Sequence, residues 1–390
     1  MEASSPELGA WLRLSLTTGI GRDTARRLLA AFGEPSHIFR QSESGLRQVV
    51  SAAQAQALLQ APDGWQALMR DTQDWLQTAP DPKVSRAVIT LGDARYPASM
   101  LDMPDPPLML HALGQVSALE SLDRLCAVAM VGSRNPTPQG LINAREFASS
   151  LSGSGLVVVS GMALGIDGAA HEGALQGAAA GTLATIAVIG TGLDRVYPKQ
   201  HRDLAHRIAL RGVILSEYPL GTPPLAHHFP QRNRLISGLS QATLVVEAAL
   251  PSGSLITARQ ALEQGRDVMA IPGSIHSAQA KGCHALIKQG AKLVESAQDV
   301  LEELRLPSPS AQHTLDLEPC SDTRSNTTPD HCEETILLRA MGHDPVSLDA
   351  LQARCGWPTA QLQAQLLELE LMGQVGRLPG GLFQRIGAAR

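Results

Sequence analysis

Aromatic side chains are scarce: four Trp, three Tyr and five Phe in 390 residues, 3% of the chain. Charged residues make up 18%, below the quarter or so usual for a soluble domain. The cysteines Cys126, Cys283, Cys320, Cys332 and Cys355 are odd in number, with no CxxC and no Cys/His spacing that would clamp zinc. That argues against a disulfide framework and a zinc module, and fits a reduced, intracellular protein. No apolar run reaches the roughly 20 residues of a membrane span; the most apolar stretch, 178–193, is broken by Gly and Thr. The start Met1-Glu2-Ala3-Ser4-Ser5 lacks the basic and apolar parts of a signal peptide, so a cytoplasmic protein without membrane contact is expected. A basic excess is also lacking. With 32 Lys+Arg against 37 Asp+Glu, net −5, the chain is no histone-like polycation, although a local basic groove stays open.

What is present is unevenly placed. Residues 125–295 hold 14 basic and 10 acidic residues and seven of the twelve histidines, whereas residues 296–330 hold 2 basic and 7 acidic. The middle of the chain is therefore a basic body with acidic flanks. Residues 306–330, with Pro307, Pro309, Pro319 and Pro329 among Ser, Thr and Asp, show no apolar periodicity and read as a linker. The expected organisation is a helical domain at 1–80, an α/β core at 81–305, the linker at 306–330 and a further domain at 331–390.

Residues 7–80 read as short helices. The turn Gly19-Ile20-Gly21 before Arg22–Phe32 has the form of a helix-hairpin-helix, but a glycine turn between packed helices has the same form, and that structural reading is preferred. From 125 to 305 apolar strand-like runs (126–131, 156–160, 185–189, 213–216, 243–247, 268–271 and 292–294) alternate with helical patterns. Continuous apolar strands separated by helices indicate a parallel sheet covered on both faces, the doubly wound arrangement. Ligands of such sheets sit at the carboxyl ends of the strands.

The loops at those ends are rich in small residues and arginine: Gly132-Ser133-Arg134, Ser160-Gly161 running to Asp167, Gly190-Thr191-Gly192, and Ser252-Gly253-Ser254 followed by Thr257. Glycine lets a ligand approach the backbone, the last loop leaves amides free at a helix start, and Arg134 offers a planar fork for phosphate. Each loop alone is equally well a tight turn. Four on one sheet edge, beside Phe229, Arg232, Asn233 and Arg234, assemble arginines for phosphates and an aromatic face for a base, the chemistry of single-strand recognition. Asp167 and His171 stand at i, i+4, where a cap and a structural hydrogen bond are preferred over acid–base catalysis. No catalytic triad or paired carboxylates emerge, and His227-His228 has no acidic partner nearby in sequence for a metal.

Helical patterns at 333–341, 348–354 and 359–372 and a Gly-rich hairpin at 375–383 match a winged helix-turn-helix. Its second helix, 359–372, has three Gln, two Glu and no Lys or Arg, which favours a protein contact or weak DNA contact over base reading.

These motifs converge on one family. VGSR at 131–134, SGMALGID at 160–167, GTGLD at 190–194, YP at 197–198, SEYP at 216–219, FPxRNR at 229–234, SGSLITA at 252–258 and LIKQGA at 286–291 resemble the DprA/Smf DNA-processing proteins over essentially the whole chain. The resemblance implies a small helical N-terminal domain, a doubly wound Rossmann-like core and a C-terminal winged helix. It implies a homodimer through that core which binds single-stranded DNA taken up in natural transformation, protects it and promotes loading of RecA, with no catalytic residues, cofactor or metal. Carried over by motif, the binding residues are Gly132, Ser133, Arg134, Ser160, Gly161, Phe229, Arg232, Asn233, Arg234, Ser252, Gly253, Ser254 and Thr257, with Lys288 a further phosphate contact. Where the family usually has Gly-x-Asn, this chain has Gly282-Cys283-His284, so no role passes to His284.

The alternative is a nucleoside monophosphate N-glycosidase of a related Rossmann group, in which a Glu serves catalysis. The matching position here is Thr257, which lacks the carboxylate. A transcription regulator is disfavoured by the non-basic second helix of the winged domain.

Overall fold

The computed structural model describes residues 5–78, 81–304, 337–338, 340–342 and 345–386; the linker expected at 306–330 lies outside them. The N-terminal helices are α1 (Ser5–Leu16), α2 (Arg22–Phe32), α3 (Pro35–Ile38), α4 (Glu43–Leu46), α5 (Ala52–Leu59) and α6 (Trp65–Gln77). Apolar residues at helical spacing, such as Leu8, Trp11 and Leu12, turn inward onto Leu28, Ile38, Leu46 and Leu58. The same cluster includes Val88, Leu108 and Met109, so these helices close on the edge of the central sheet.

That sheet has nine strands among the described residues: β1 (Ser85–Thr90), β2 (Met109–Gly114), β3 (Ala127–Val131), β4 (Val157–Ser160), β5 (Thr185–Val188), β6 (Val213–Ser216), β7 (Ala242–Val245), β8 (Asp267–Ala270) and β9 (Lys292–Leu293). Their order is β1-β2-β6-β5-β4-β3-β7-β8-β9. Strands β3 to β9 pair in parallel, while β1 and β2 add an antiparallel edge. Side chains alternate across the pleat. Ala127, Ala129 and Val131 join one core with Leu235, Ile236, Ala258 and Ala261, while Val128 and Met130 join the opposite core with Phe147, Leu151, Ile166 and Ala170. Both faces are buried, which is why the strand sequences are continuously apolar.

The covering helices are α7 (Pro138–Gly153), α8 (Ile166–Gly177), α9 (Arg202–Arg211), α10 (His228–Gly238), α11 (Gly253–Glu263), α12 (Lys281–Lys288) and α13 (Ala297–Glu303). The chain winds one way from β3 through β6 and the other way from β7 through β9. The β3/β7 pair is therefore the point where strand order reverses.

A charge network ties α2 to α10. Arg22 and Arg26 reach Asp105 at 2.7 and 3.0 Å, Arg22 also reaches Glu217 at 3.2 Å, and Arg234 pairs with Glu217 and donates to the Asp105 carbonyl at 2.6 Å. Arg22 and Arg26, following the Gly19–Gly21 turn, are thus engaged within the protein. Burial opposes ionisation of Asp105, but Arg22, Arg234 and Arg26 outweigh it and hold its carboxyl below the usual range.

The C-terminal domain is a winged helix built from β10 (Val346–Ser347), α14 (Leu348–Cys355), α15 (Thr359–Leu371), β11 (Val375–Leu378) and β12 (Leu382–Arg385), with strand order β10-β12-β11. Leu362, Leu366 and Leu369 of α15 close its core against Leu351, Val375 and Phe383.

Candidate functional site

The carboxyl ends of β3 and β7 open into a cleft of about 690 Å³ at the reversal of strand order. Such crevices are the usual ligand sites of open α/β sheets. Three groups of residues make most of its wall: 131–135 at the end of β3 and after it, 229–236 on α10, and 249–257 leading into α11, with Asp167, Tyr197 and Gln279 among the others.

The β3 loop is held rigidly. Ser133 N donates to the Glu247 carbonyl at 2.7 Å and its carbonyl accepts from Ile166 N at 3.1 Å. The Glu247 carboxylate accepts from Thr137 N at 2.9 Å and from Thr137 Oγ1 at 2.6 Å, bracketing Arg134 between two anchors on one residue. Burial raises the Glu247 pKa, against the opposing hydrogen bonds from Thr137. Gly132 is required by space: a Cβ there would lie 2.7 Å from Ile166 Cγ1 and 2.9 Å from the Glu247 carbonyl oxygen.

Arg134 is exposed, and its guanidinium carbon sits 5.7 Å from the centroid of the Phe229 ring. Tyr197, 47% exposed, continues that surface with its ring centroid 5.5 Å from Phe229. Two adjoining rings and a cation over one of them make a platform on which an unpaired base can stack while its phosphate meets the arginine.

Arg232 forms the floor. Its side chain is buried, and Nη1 donates to the Val188 carbonyl at 2.7 Å. Burial lowers its pKa to about 10, still a cation at neutral pH, and Asp167 supports the charge. Burial raises the pKa of Asp167, opposed by Arg232 and by backbone donors including Ala163 N at 3.3 Å. A Cβ on Gly161 would fall inside the Arg232 guanidinium, so the small residue after β4 makes room for this cation. His171 lies deeper: its Nδ1 meets Thr185 Oγ1 at 2.7 Å, and burial drops its pKa to about 3, which keeps it neutral. Thr185 Oγ1 spends its hydrogen on the Val158 carbonyl, so His171 donates from Nδ1 and serves the core rather than acid–base chemistry.

Opposite Arg134, α11 begins in the cleft. Ser252 is its N-cap, with Oγ accepting from Ser254 N at 3.3 Å, and a Cβ at Gly253 would meet nothing within 4 Å. An open, glycine-led helix start presents amides and a partial positive charge to an anion. Asn233 Nδ2 donates to the Gly253 carbonyl at 3.5 Å and joins α10 to this turn.

Of the residues expected from sequence, Gly132, Ser133, Arg134, Phe229, Arg232, Asn233, Ser252, Gly253, Ser254 and Thr257 meet in the cleft, and Gly161 lines an adjoining hollow. Three lie outside it. Ser160 is buried and donates to the Met130 carbonyl. Arg234 turns away from the cleft into the network with Glu217 and Asp105. Lys288 ends α12, which runs back from the carboxyl edge, and is absent from the cleft wall. The reading from sequence missed Asn135, Tyr197 and Gln279 in the wall, and Glu247 behind it; only Tyr197 carried a signal, in its YP motif. A larger cleft of about 800 Å³ lies beside α9, where Arg86, Arg195, Lys199 and Arg202 stand among aliphatic side chains, but it contains neither the β3 loop with Arg134 nor the start of α11. No cluster of His, Cys, Asp and Glu able to hold a metal occurs among the described residues.

Comparison with known proteins places this geometry in context. The family model for DNA recombination-mediator protein A matches residues 87–305, and that for the DprA winged helix domain matches residues 321–381. The chain is 38% identical to protein Smf of Escherichia coli (strain K12) over 380 residues, covering 95% of this chain and 94% of that protein. It is 47% identical to the DNA processing protein DprA of Streptococcus pneumoniae over 211 residues, 54% of this chain and 72% of that one. The X-ray structure of DprA from Streptococcus pneumoniae aligns with a TM-score of 0.63 at 36% identity, covering 78% of this chain and 99% of that one. A structure of DNA processing protein A from Helicobacter pylori, described for its single-stranded DNA binding mode, aligns at 0.50 with 30% identity, covering 57% and 96%.

Proposed function

Because the chain belongs to the DNA recombination-mediator protein A family, we propose that its β3/β7 cleft binds single-stranded DNA, with Arg134 and the start of α11 on phosphates and Phe229 under a base. The observation that carries this reading is the stack of Arg134 on Phe229 facing the open start of α11 across one cleft. A flat, extended nucleic acid with alternating charge and ring fits such a surface; a duplex, whose bases are already stacked, cannot use the ring.

The finer role follows the family. The bound strand is DNA taken up in transformation, held by this protein against degradation and passed to the RecA recombinase, in the cytoplasm and without a chemical step. Among the described residues no helix is long and apolar enough to cross a membrane. A homodimer through the core is supported by the exposed Leu262 and Leu293 near the β9 edge. Strand binding is favoured over N-glycosidase chemistry because Thr257, buried in the first turns of α11, stands where that chemistry needs a carboxylate.

The test is competition. A labelled oligothymidylate bound to the protein should be displaced by unlabelled oligothymidylate and not by equal nucleotide concentrations of duplex or of nucleoside monophosphates. Displacement by monophosphates together with release of free base would establish the enzyme instead.

A further inference from the structure

Helix α15 of the winged domain is apolar on two opposite sides. Leu362, Leu366 and Leu369 face the domain core. On the reverse side, Ala360, Ala364, Leu367 and Leu371 follow at intervals of four, three and four residues, all exposed, with Leu367 at 57% and Leu371 at 82%. At 3.6 residues per turn these positions form one stripe, about 16 Å long at 1.5 Å per residue. Met372, 51% exposed, stands at the end of the helix on the Glu368 side. A surface helix with a second apolar stripe is a helix made to be covered.

The charges say by what. Glu368 and Glu370 flank the stripe on either side of its Leu367–Leu371 half, and α15 contains no Lys or Arg. The three Gln of α15 stand in its first half, so beside the leucines DNA would meet two carboxylates and no cation. A second copy of α15 offers those carboxylates no cation. A partner helix with its own apolar stripe and flanking Lys or Arg satisfies both features, in the manner of paired coiled-coil edges.

We propose that the outer face of α15 is a docking surface for an amphipathic, basic-flanked helix of another protein. The winged domain then recruits a protein partner while the strand occupies the core cleft, using a surface separate from Arg134 and Phe229.

The probe is a pair of labelled helical peptides of identical Leu/Ala stripe, one flanked by Lys and one by Glu, titrated against the full-length chain. The Lys-flanked peptide should bind at least about tenfold more tightly than its mirror, the discrimination that 1.4 kcal/mol provides. The double variant Leu367→Asp, Leu371→Asp should abolish this binding without changing oligothymidylate affinity or melting temperature, since both side chains face solvent. Glu368→Lys with Glu370→Lys should reverse the peptide preference, which keeps the test sharp even if the leucine variant folds poorly. Equal binding of both peptides, no binding of either, or a preference that the Glu→Lys pair leaves unreversed would overturn the proposal. So would loss of duplex binding, or of self-association, as the main consequence of the leucine changes.

Discussion

Gly161 and Arg232 share one volume: the guanidinium of Arg232 occupies the place where any side chain on residue 161 would begin. The cleft floor therefore depends on an absence. Gly161→Ala should expel the guanidinium from its bond to the Val188 carbonyl and cost about 1–3 kcal/mol of stability, the usual range for overpacking. Oligothymidylate affinity should fall with it. Thermal melting and fluorescence anisotropy on the same preparation check both; an alanine variant with wild-type melting and affinity would show that Arg232 has another place to go.

Phe229 and Arg134 adjoin, with the guanidinium carbon 5.7 Å from the ring centroid, yet should act differently. Phe229→Ala should cost about 1–3 kcal/mol of strand affinity, the usual worth of a stacked base, by nearly the same amount at every salt concentration. Anisotropy titrations across a salt series separate this from a charge effect, which would change with salt.

Glu247 anchors the Arg134 loop through Thr137, and its raised pKa sets the sign of a pH effect. A raised folded-state pKa means stability present below the ordinary value of 4.5 and lost as pH rises through the folded value. Glu247→Gln lacks that titration, so its melting temperature relative to wild type should climb as pH rises through the region just above 4.5. Glu247→Ala, which removes both acceptors, should weaken strand binding at all pH values. A flat Gln-minus-wild-type difference across that region would refute the assigned direction.

Asp105 behaves in the opposite sense. Its lowered pKa means stability present above the ordinary value of 3.8 and lost as pH falls through the folded value. Asp105→Asn should destabilise the protein at pH 6 to 7, and the deficit should shrink as pH drops below 3.8. Melting curves over that range report it.

How far the molecule is legible in its sequence depends on burial. The parallel strands β3 to β8 are read from their apolar runs because helices cover both faces of the sheet. The β1–β2 edge is not, since it lies in a Pro-interrupted stretch where only the finished sheet shows the partner of Met109–Gly114. Within the site, glycines and Arg134 stand out because close approach to the backbone, or binding of a phosphate, demands those residue types. Arg232 and Arg234 are indistinguishable by motif, yet two residues along a helix turn the side chain to nearly the opposite side; one becomes the cleft floor and the other a link to the N-terminal helices. Lys288 lies outside the cleft for a related reason: its motif spans α12, and the helix carries the lysine away from the edge where the motif begins.

The central claim is that the β3/β7 cleft engages the phosphates of a single strand through Arg134. It is tested most directly by titrating a labelled oligothymidylate against wild type and Arg134→Ala at several salt concentrations. The variant should bind more weakly, with a plot of log affinity against log salt shallower by about 0.7, the counterion release of one phosphate contact on a single strand. An unchanged affinity and an unchanged slope would place the strand elsewhere on the protein.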